Sequence, residues 1–303
     1  MPQNPPAAPS PTRLDPDAFN RLALELRPKL HRYCARMTGS AIDGEDVVQQ
    51  ALLKALEAMP ETGPLADPQA WLFRITHNAA QDFLHRYMRE TGIFADEDVE
   101  MFANADESVH LRQIAALNLR SFMRLPPAQR SAVILRDVLG HSMLELSQIL
   151  GTSLPAVKAA LQRGRARLQE LAGVPDDIAP PALADAEHAR LLDYVGLFND
   201  RDFDAIRAML AEDVKLDLVA RLEAKGRAQV GSYFYRYSLV RDWHCAPGIV
   251  DGRAAVLMYD PEDKAGPPSY FILLEWLDGG VSTIRDFRFA RYALEGAEIV
   301  RLG

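Results

Sequence analysis

Cysteine is scarce in this 303-residue chain: two, Cys34 and Cys245, stand far apart and in no C-x-x-C pair. A disulfide framework and a cysteine-based zinc site are thereby excluded, and a reducing compartment, the cytoplasm, is expected. No stretch approaches ~18 unbroken apolar residues, so no membrane span is expected. The first 16 residues hold six prolines and no basic cluster ahead of an apolar core. They read as a disordered tail, not a secretory signal. Positive charge is also short. The net charge is −8, which by itself argues against a nucleic-acid partner. The distribution reverses that inference. Residues 1–172 carry 19 Lys/Arg against 20 Asp/Glu, whereas residues 173–303 carry 15 against 22. The acidity sits in the second part, and the first keeps local basic clusters that the sum hides.

What is present is mostly helical at first. Phe19, Leu22, Leu26, Leu30 and Tyr33 recur at three- and four-residue steps, and so do Val47, Leu52, Leu53 and Leu56. A third helix follows Asp67, which can cap it, and Pro68, which suits a first turn. Its expected buried stripe is Trp71, Leu72, Ile75, Ala79 and Phe83. Residues 95–107 contain six acids and no base, the composition of a solvated linker. A second helical block follows, and Pro175, Pro180 and Pro181 then mark a second linker. From residue 187 the texture changes. Two helices with a turn at Asn199–Asp200 precede alternating Val214, Leu216 and Leu218, a further helix over 226–241, and three strand-like runs at 254–260, 269–280 and 281–292. Helices followed by strands predict an α+β domain.

Residues 141–171, HSMLELSQILGTSLPAVKAALQRGRARLQEL, carry the clearest signal. Leu144, Leu146, Ile149 and Leu150 predict a short amphipathic helix that Gly151 ends in the left-handed conformation. Ser153 is a good N-cap, and Pro155 falls in the first turn of the next helix, with Val157, Leu161 and Leu168 facing inward. Two helices around a tight glycine turn make a helix-turn-helix. Lys158, Arg163, Arg165 and Arg167 follow with no acid between them, a surface suited to phosphates while the helix start reaches base edges. A helical hairpin with a merely solvated basic face is the alternative.

Residues 125–171 resemble region 4 of an extracytoplasmic-function sigma factor, through Leu125-Pro126-Pro127, Gly140-x-Ser142, Glu145-Leu146, Ile149-Leu150-Gly151, Val157-Lys158 and Leu161-x-Arg163-x-Arg165. The resemblance implies binding to the −35 promoter element, here by Ser153, Lys158, Gln162, Arg163, Arg165 and Arg167. DGEDVVQQALLKAL (43–56) resembles the region 2 helix that docks on the polymerase clamp, which assigns Asp43, Glu45, Asp46, Gln49 and Gln50 to that contact. WLFRITHNAAQDFLHRYMR (71–89) resembles the helix that opens and captures the −10 element, which assigns it Arg74, Asn78, Asp82, His85, Arg86 and Arg89. Arg112, Arg120, Arg124, Arg130 and Arg136 are expected to add backbone contacts or solubility. The implied partners are the RNA polymerase core, at its β′ clamp and β flap, and promoter DNA.

Residues 187–303 resemble a SnoaL-like domain of the nuclear transport factor two-like cone fold, through LLDYVGLFNDRDFDAIRAMLAEDVKLDL, GRAQVGSYF and the late strands. Such a cone implies an apolar pocket for a small-molecule ligand, for which Asp217, Tyr233, Tyr237, Trp276, Arg285 and Asp286 are candidates. DGGV (278–281) echoes a glycine loop. No catalytic, cofactor or metal-binding residue is assigned. The expected organisation is a tail (1–16), region 2 (17–91), an acidic linker (92–108), region 4 (109–172), a linker (173–186) and the SnoaL-like domain (187–303). The expected protein is a non-enzymatic sigma factor regulated in cis by that last domain. An isomerase- or cyclase-like enzyme with a helical regulatory module is the alternative.

Overall fold

A computed structural model describes residues 13–91, 119–171 and 181–302. The expected acidic linker and Arg112 lie outside the described residues, as does most of the tail and of the second linker. The chain divides into two compact units, Met1–Asp176 and Asp177–Gly303.

The first unit is all helix. α1 (Pro16–Thr38) opens under Asp15, whose carboxylate accepts the Ala18 N–H, and closes at left-handed Gly39. α2 (Ala41–Ala58) is capped by Ser40, and α3 (Pro68–Thr91) by Asp67, which accepts the Ala70 N–H at 2.9 Å. α4 (Leu119–Met123) and α5 (Pro127–Val133) follow. α5 continues into a π-helical turn, Ile134–Val138, where the Leu139 N–H donates to the Ile134 carbonyl five residues back. α6 (Met143–Leu150) and α7 (Leu154–Leu171) complete the unit.

Two separate helical modules were expected here, and one core joins them. Leu26, Leu30, Tyr33, Cys34 and Met37 of α1 pack in the same buried cluster as Phe122, Leu125, Ala132–Leu135, Leu146 and Ile149. α3 shows the effect. Of its expected stripe Leu72 and Ala79 are buried while Trp71, Ile75 and Phe83 are half-buried, and it also buries Phe73, Thr76, Ala80 and Leu84, packing against α1, α2 and α6, with the His141 ring 4.7 Å from Phe73. A one-face periodicity cannot anticipate a helix packed on two sides.

The second unit is α+β, as its helix-then-strand order predicts. α8 (Asp185–Asp200), α9 (Phe203–Ala208) and α10 (Arg227–Leu239) accompany a seven-stranded sheet. The strands are β1 (Leu210–Leu218), β2 (Leu222–Lys225), β3 (His244–Val250), β4 (Arg253–Tyr259), β5 (Tyr270–Leu277), β6 (Gly280–Asp286) and β7 (Ile299–Arg301), in sheet order β2-β1-β6-β5-β4-β3-β7. Only β1 and β6 pair in parallel. One face carries the core: Val214, Leu216 and Leu218 of β1, Val256 and Met258 of β4, and Tyr270, Ile272 and Leu274 of β5 meet Tyr194 and Phe198 of α8 and Tyr233, Phe234 and Tyr237 of α10. The DGGV stretch is no glycine loop. Asp278 and Gly279, at φ 50 and 84, form the tight turn joining β5 to β6. Among the described residues, no helix is long and apolar enough to cross a membrane.

Candidate functional site

The helix-turn-helix forms from local chemistry. Ser142 accepts the Glu145 N–H while the Glu145 carboxylate accepts the Ser142 N–H at 2.6 Å, a reciprocal box that starts α6. The hydrogen bonds from Ser142 hold the Glu145 carboxyl below its ordinary pKa. Gly151, at φ 63, ends α6 and donates to the Ser147 carbonyl. Ser153 then accepts the Ala156 N–H at 3.4 Å, starting α7. Val157, Leu161 and Leu168 face inward as expected. Leu144 does not, being 61% exposed.

α7 does not present four free cations. Lys158 and Gln162 are exposed and Arg163 is half-buried. Arg165 grips Asp137 of the π-helical turn through two bonds, Nε to Oδ2 at 2.9 Å and Nη2 to Oδ1 at 2.7 Å. The Asp137 carboxylate is fully enclosed, so Arg165 is spent on holding α7 in place. Arg167 is exposed and pairs with Glu170. The exposed cations of α7 are therefore Lys158 and Arg167, the latter paired with Glu170, behind an exposed start at Thr152–Ala156.

On α3, Arg74, Asn78, Asp82, His85, Arg86 and Arg89 are all exposed. Their spacing puts them along one side of the helix. Asp82 is not a free acid, because Lys54 of α2 bonds it at 2.8 Å. A groove of about 530 Å³ runs between α2 and α3, lined by Lys54, Ala58, Ile75, Asn78, Gln81 and Asp82.

On α2 the expected polymerase-facing set divides. Asp46 is exposed, and Asp43, Gln49 and Gln50 are half-buried. Glu45 is 1% exposed and ion-paired with Arg27 of α1, so it fastens α1 to α2 and presents nothing outward. What the polar pattern missed lies one turn further along. Leu24, Leu53 and Leu56 are exposed and, with Phe19, Leu52, Arg27 and Gln49, line a groove of about 480 Å³ between α1 and α2. Exposed leucines at three-residue steps on a half-covered helix were the signal available in the sequence.

Arg130, expected at the surface, is 2% exposed. Its guanidinium donates to the Met37 carbonyl at 2.5 Å, to the Leu125 carbonyl at 2.8 Å and to the Met123 carbonyl at 3.1 Å. Burial lowers its pKa to about 10. Nearby, the Tyr33 hydroxyl donates to Ser131 Oγ at 3.2 Å and lies 2.8 Å from His77 Nδ1. Burial lowers the His77 pKa to about 4.

In the second unit the candidate pocket residues fall on two faces of the sheet. Tyr233, Tyr237 and Asp286 converge on the core face. The buried Asp286 carboxylate accepts from Tyr237 at 2.7 Å, from Tyr233 at 2.9 Å and from the Arg288 N–H at 2.8 Å. Its pKa is raised, chiefly by burial, against the opposing pull of those hydrogen bonds. Tyr237 also touches the Tyr270 hydroxyl, which accepts from Arg288 at 2.9 Å. Trp276 is half-buried on the same face, its ring 6.3 Å from that of Tyr194. The Tyr194 hydroxyl and the indole nitrogens of Trp243 and Trp276 are buried with no hydrogen-bond partner. Asp217 and Arg285 depart from the expectation. They alternate with the core-facing residues of β1 and β6, so they point to the opposite face, where they pair with each other at 3.0 Å. An acid held by its own arginine is not poised for proton transfer, which removes Asp217 from the enzyme reading. Among the described residues, no group of three or more His, Cys, Asp or Glu is arranged to hold a metal ion.

Comparison with known proteins agrees with this layout. The family model described as Sigma-70 region 2 matches residues 22–90, and that described as Sigma-70, region 4 matches residues 119–168. The chain is 31% identical over 211 residues to "ECF RNA polymerase sigma factor SigG" of Mycobacterium tuberculosis, covering 59% of this chain and 55% of that protein. It is 33% identical over 156 residues to "ECF RNA polymerase sigma factor SigM" of the same organism, covering 52% of this chain and 78% of that protein. The match thus spans about half the length of SigG and most of SigM. Among solved structures, the extracytoplasmic function sigma factor SigJ of Mycobacterium tuberculosis aligns over 91% of this chain and 99% of its own, with TM-score 0.34 and 22% identity.

Proposed function

Because the chain belongs to the extracytoplasmic-function RNA polymerase sigma factors, we propose that it brings the polymerase core to promoters and starts transcription in the cytoplasm. The observation that carries this reading is the capped helix-turn-helix, whose recognition helix offers an exposed start and an exposed Lys158. Ser153, Lys158, Gln162 and Arg163 engage the −35 duplex, with Arg165 as a positioning residue. Arg74, Asn78, His85, Arg86 and Arg89 follow the opened −10 strand, where an unstacked base suits the groove at Asn78 and Asp82. Asp46, Gln49 and Gln50 form a polar rim to the Leu24–Leu53–Leu56 groove, and rim plus groove dock on the polymerase clamp, while region 4 also meets the β flap.

The acidic second unit regulates this activity in cis. Its tyrosine–aspartate cluster, with the unpartnered Tyr194 hydroxyl and indole nitrogens, suits a small, largely apolar ligand that carries a hydrogen-bond acceptor. In vitro transcription with purified core polymerase tests the central reading, using genomic fragments that the tagged protein occupies. Initiation that depends on the protein and fails with Lys158→Ala/Arg163→Ala supports it. No initiation from any occupied fragment overturns it.

A further inference from the structure

Donors without acceptors gather around one indole ring of the second unit. Arg190 and Tyr194 stand one turn apart on α8, and Trp276 lies near the end of β5. The Arg190 guanidinium lies 5.6 Å from the centre of the Trp276 ring, and the Tyr194 ring meets that ring edge-on at 6.3 Å. Arg190 Nε, Trp276 Nε1 and the Tyr194 hydroxyl are each buried with no hydrogen-bond partner. Buried polar groups are nearly always paired, so three orphans around one ring point to a missing partner. All three can donate, and the guanidinium and the indole can only donate. What is missing is therefore an acceptor.

The fold withholds its own acceptors from this group. Arg190 makes no ion pair among the described residues, although Glu187 and Asp193 stand three positions to either side, within reach on a helix surface. The buried Asp286 is already supplied by Tyr233, Tyr237 and the Arg288 N–H. Tyr194 is fully enclosed, whereas Arg190 and Trp276 are half-buried. The group thus runs from the aromatic core toward solvent, and a ligand can reach it from outside. A guanidinium laid on an indole is partly desolvated, which strengthens its pull on an anion, and its planar fork matches a carboxylate. One cation with two acids nearby suits a single negative charge, a carboxylate rather than a phosphate dianion. The ring faces of Trp276 and Tyr194 call for an apolar body behind that charge.

We propose that the second unit binds an apolar monocarboxylic acid at this place, its carboxylate held by Arg190 and Trp276 Nε1, with the Tyr194 hydroxyl as the third donor. The proposal rests on the reading of that unit as a ligand-binding regulator and names the chemical class that it senses.

Isothermal titration calorimetry on the full chain tests this, with octanoate and 2-naphthoate set against 1-octanol, 2-naphthol and octylammonium. The two carboxylates are expected to bind, the alcohols about ten-fold more weakly, and octylammonium not at all. Arg190→Gln should weaken carboxylate binding about ten-fold, and Trp276→Phe and Tyr194→Phe about five-fold each. Tyr194→Phe strands no partner in the free protein, so it should melt no lower than the parent chain. A merely structural hydroxyl would do the reverse, lowering the melting temperature and leaving affinity alone. No binding of either carboxylate, or affinity unmoved in folded Trp276→Phe and Tyr194→Phe variants, would overturn the proposal. Alcohols that bind as well as the carboxylates would also overturn it, while leaving the broader ligand reading in place. Carboxylate binding that leaves run-off transcription unchanged would uphold the site and count against regulation in cis.

Discussion

Arg165 and Lys158 sit two turns apart on one helix and do different work. Lys158→Ala should leave the melting temperature unchanged, weaken DNA binding alike for all sequences and lower the salt slope by about one, which titration at several ionic strengths measures. Asp137→Asn should instead unfold the protein sooner, because it strands Arg165 against an enclosed neighbour. A loss of about 3 kcal/mol in a urea melt is expected. His77 sets a pH dependence. Its pKa is near 4 in the fold and near ~6.5 in the unfolded chain. Between those values the unfolded chain binds the extra proton, so stability is full above about pH 6.5 and falls as pH drops toward 4. Urea midpoints measured from pH 7.5 to 4.5 should fall, and His77→Phe should flatten that fall. Sequence pattern found the charge on α7 because the residues are adjacent. It could not find that Asp137 neutralises Arg165 from 28 positions away, or that Arg27 holds Glu45 from 18 positions away, because only the folded chain brings those pairs together.

Elements whose boundaries are written in local chemistry were legible. Asp67-Pro68, Gly151 and Ser153 mark helix ends that the structure places where they predict. Ser142→Ala should cost α6 about 1 kcal/mol, read from the denaturant midpoint, and lower −35 duplex affinity only in proportion to the unfolded fraction. β3 was missed because its centre is Pro247-Gly248, which reads as a break. It is a strand nonetheless, since Pro247 pairs with Val256 of β4 and, on the β7 side, its carbonyl accepts the Leu302 N–H at 3.0 Å. Gly248 also lets Leu257 of β4 approach to a distance no side chain would permit. The late strands were found through their β-branched and aromatic runs. Which side of the sheet Asp217 and Arg285 occupy was available in principle from the same alternation that placed Val214, Leu216 and Leu218 inward.

At the scale of the molecule, the charge split between the two parts was plain in the sequence, and the two compact units divide near it, between Asp176 and Asp177. The single core shared by both sigma regions was not. Each helix showed one apolar stripe, whereas α3 packs against α1, α2 and α6 at once. Deleting residues 177–303 should change promoter output while core polymerase still binds, which pull-down and run-off transcription on the same preparation separate. Loss of polymerase binding would make the second unit a structural part of the first.

The extra residue wound into the Ile134–Val138 turn has a geometric consequence of its own. Removing one amino acid there would restore ordinary winding and re-phase everything downstream by about 100°. Asp137 would then swing away from Arg165, and the recognition helix would lose its keel. This short loop of backbone is therefore where length variation should be least tolerated: a deletion among aliphatic residues, altering no charge and no DNA contact, should silence the protein as completely as a frameshift.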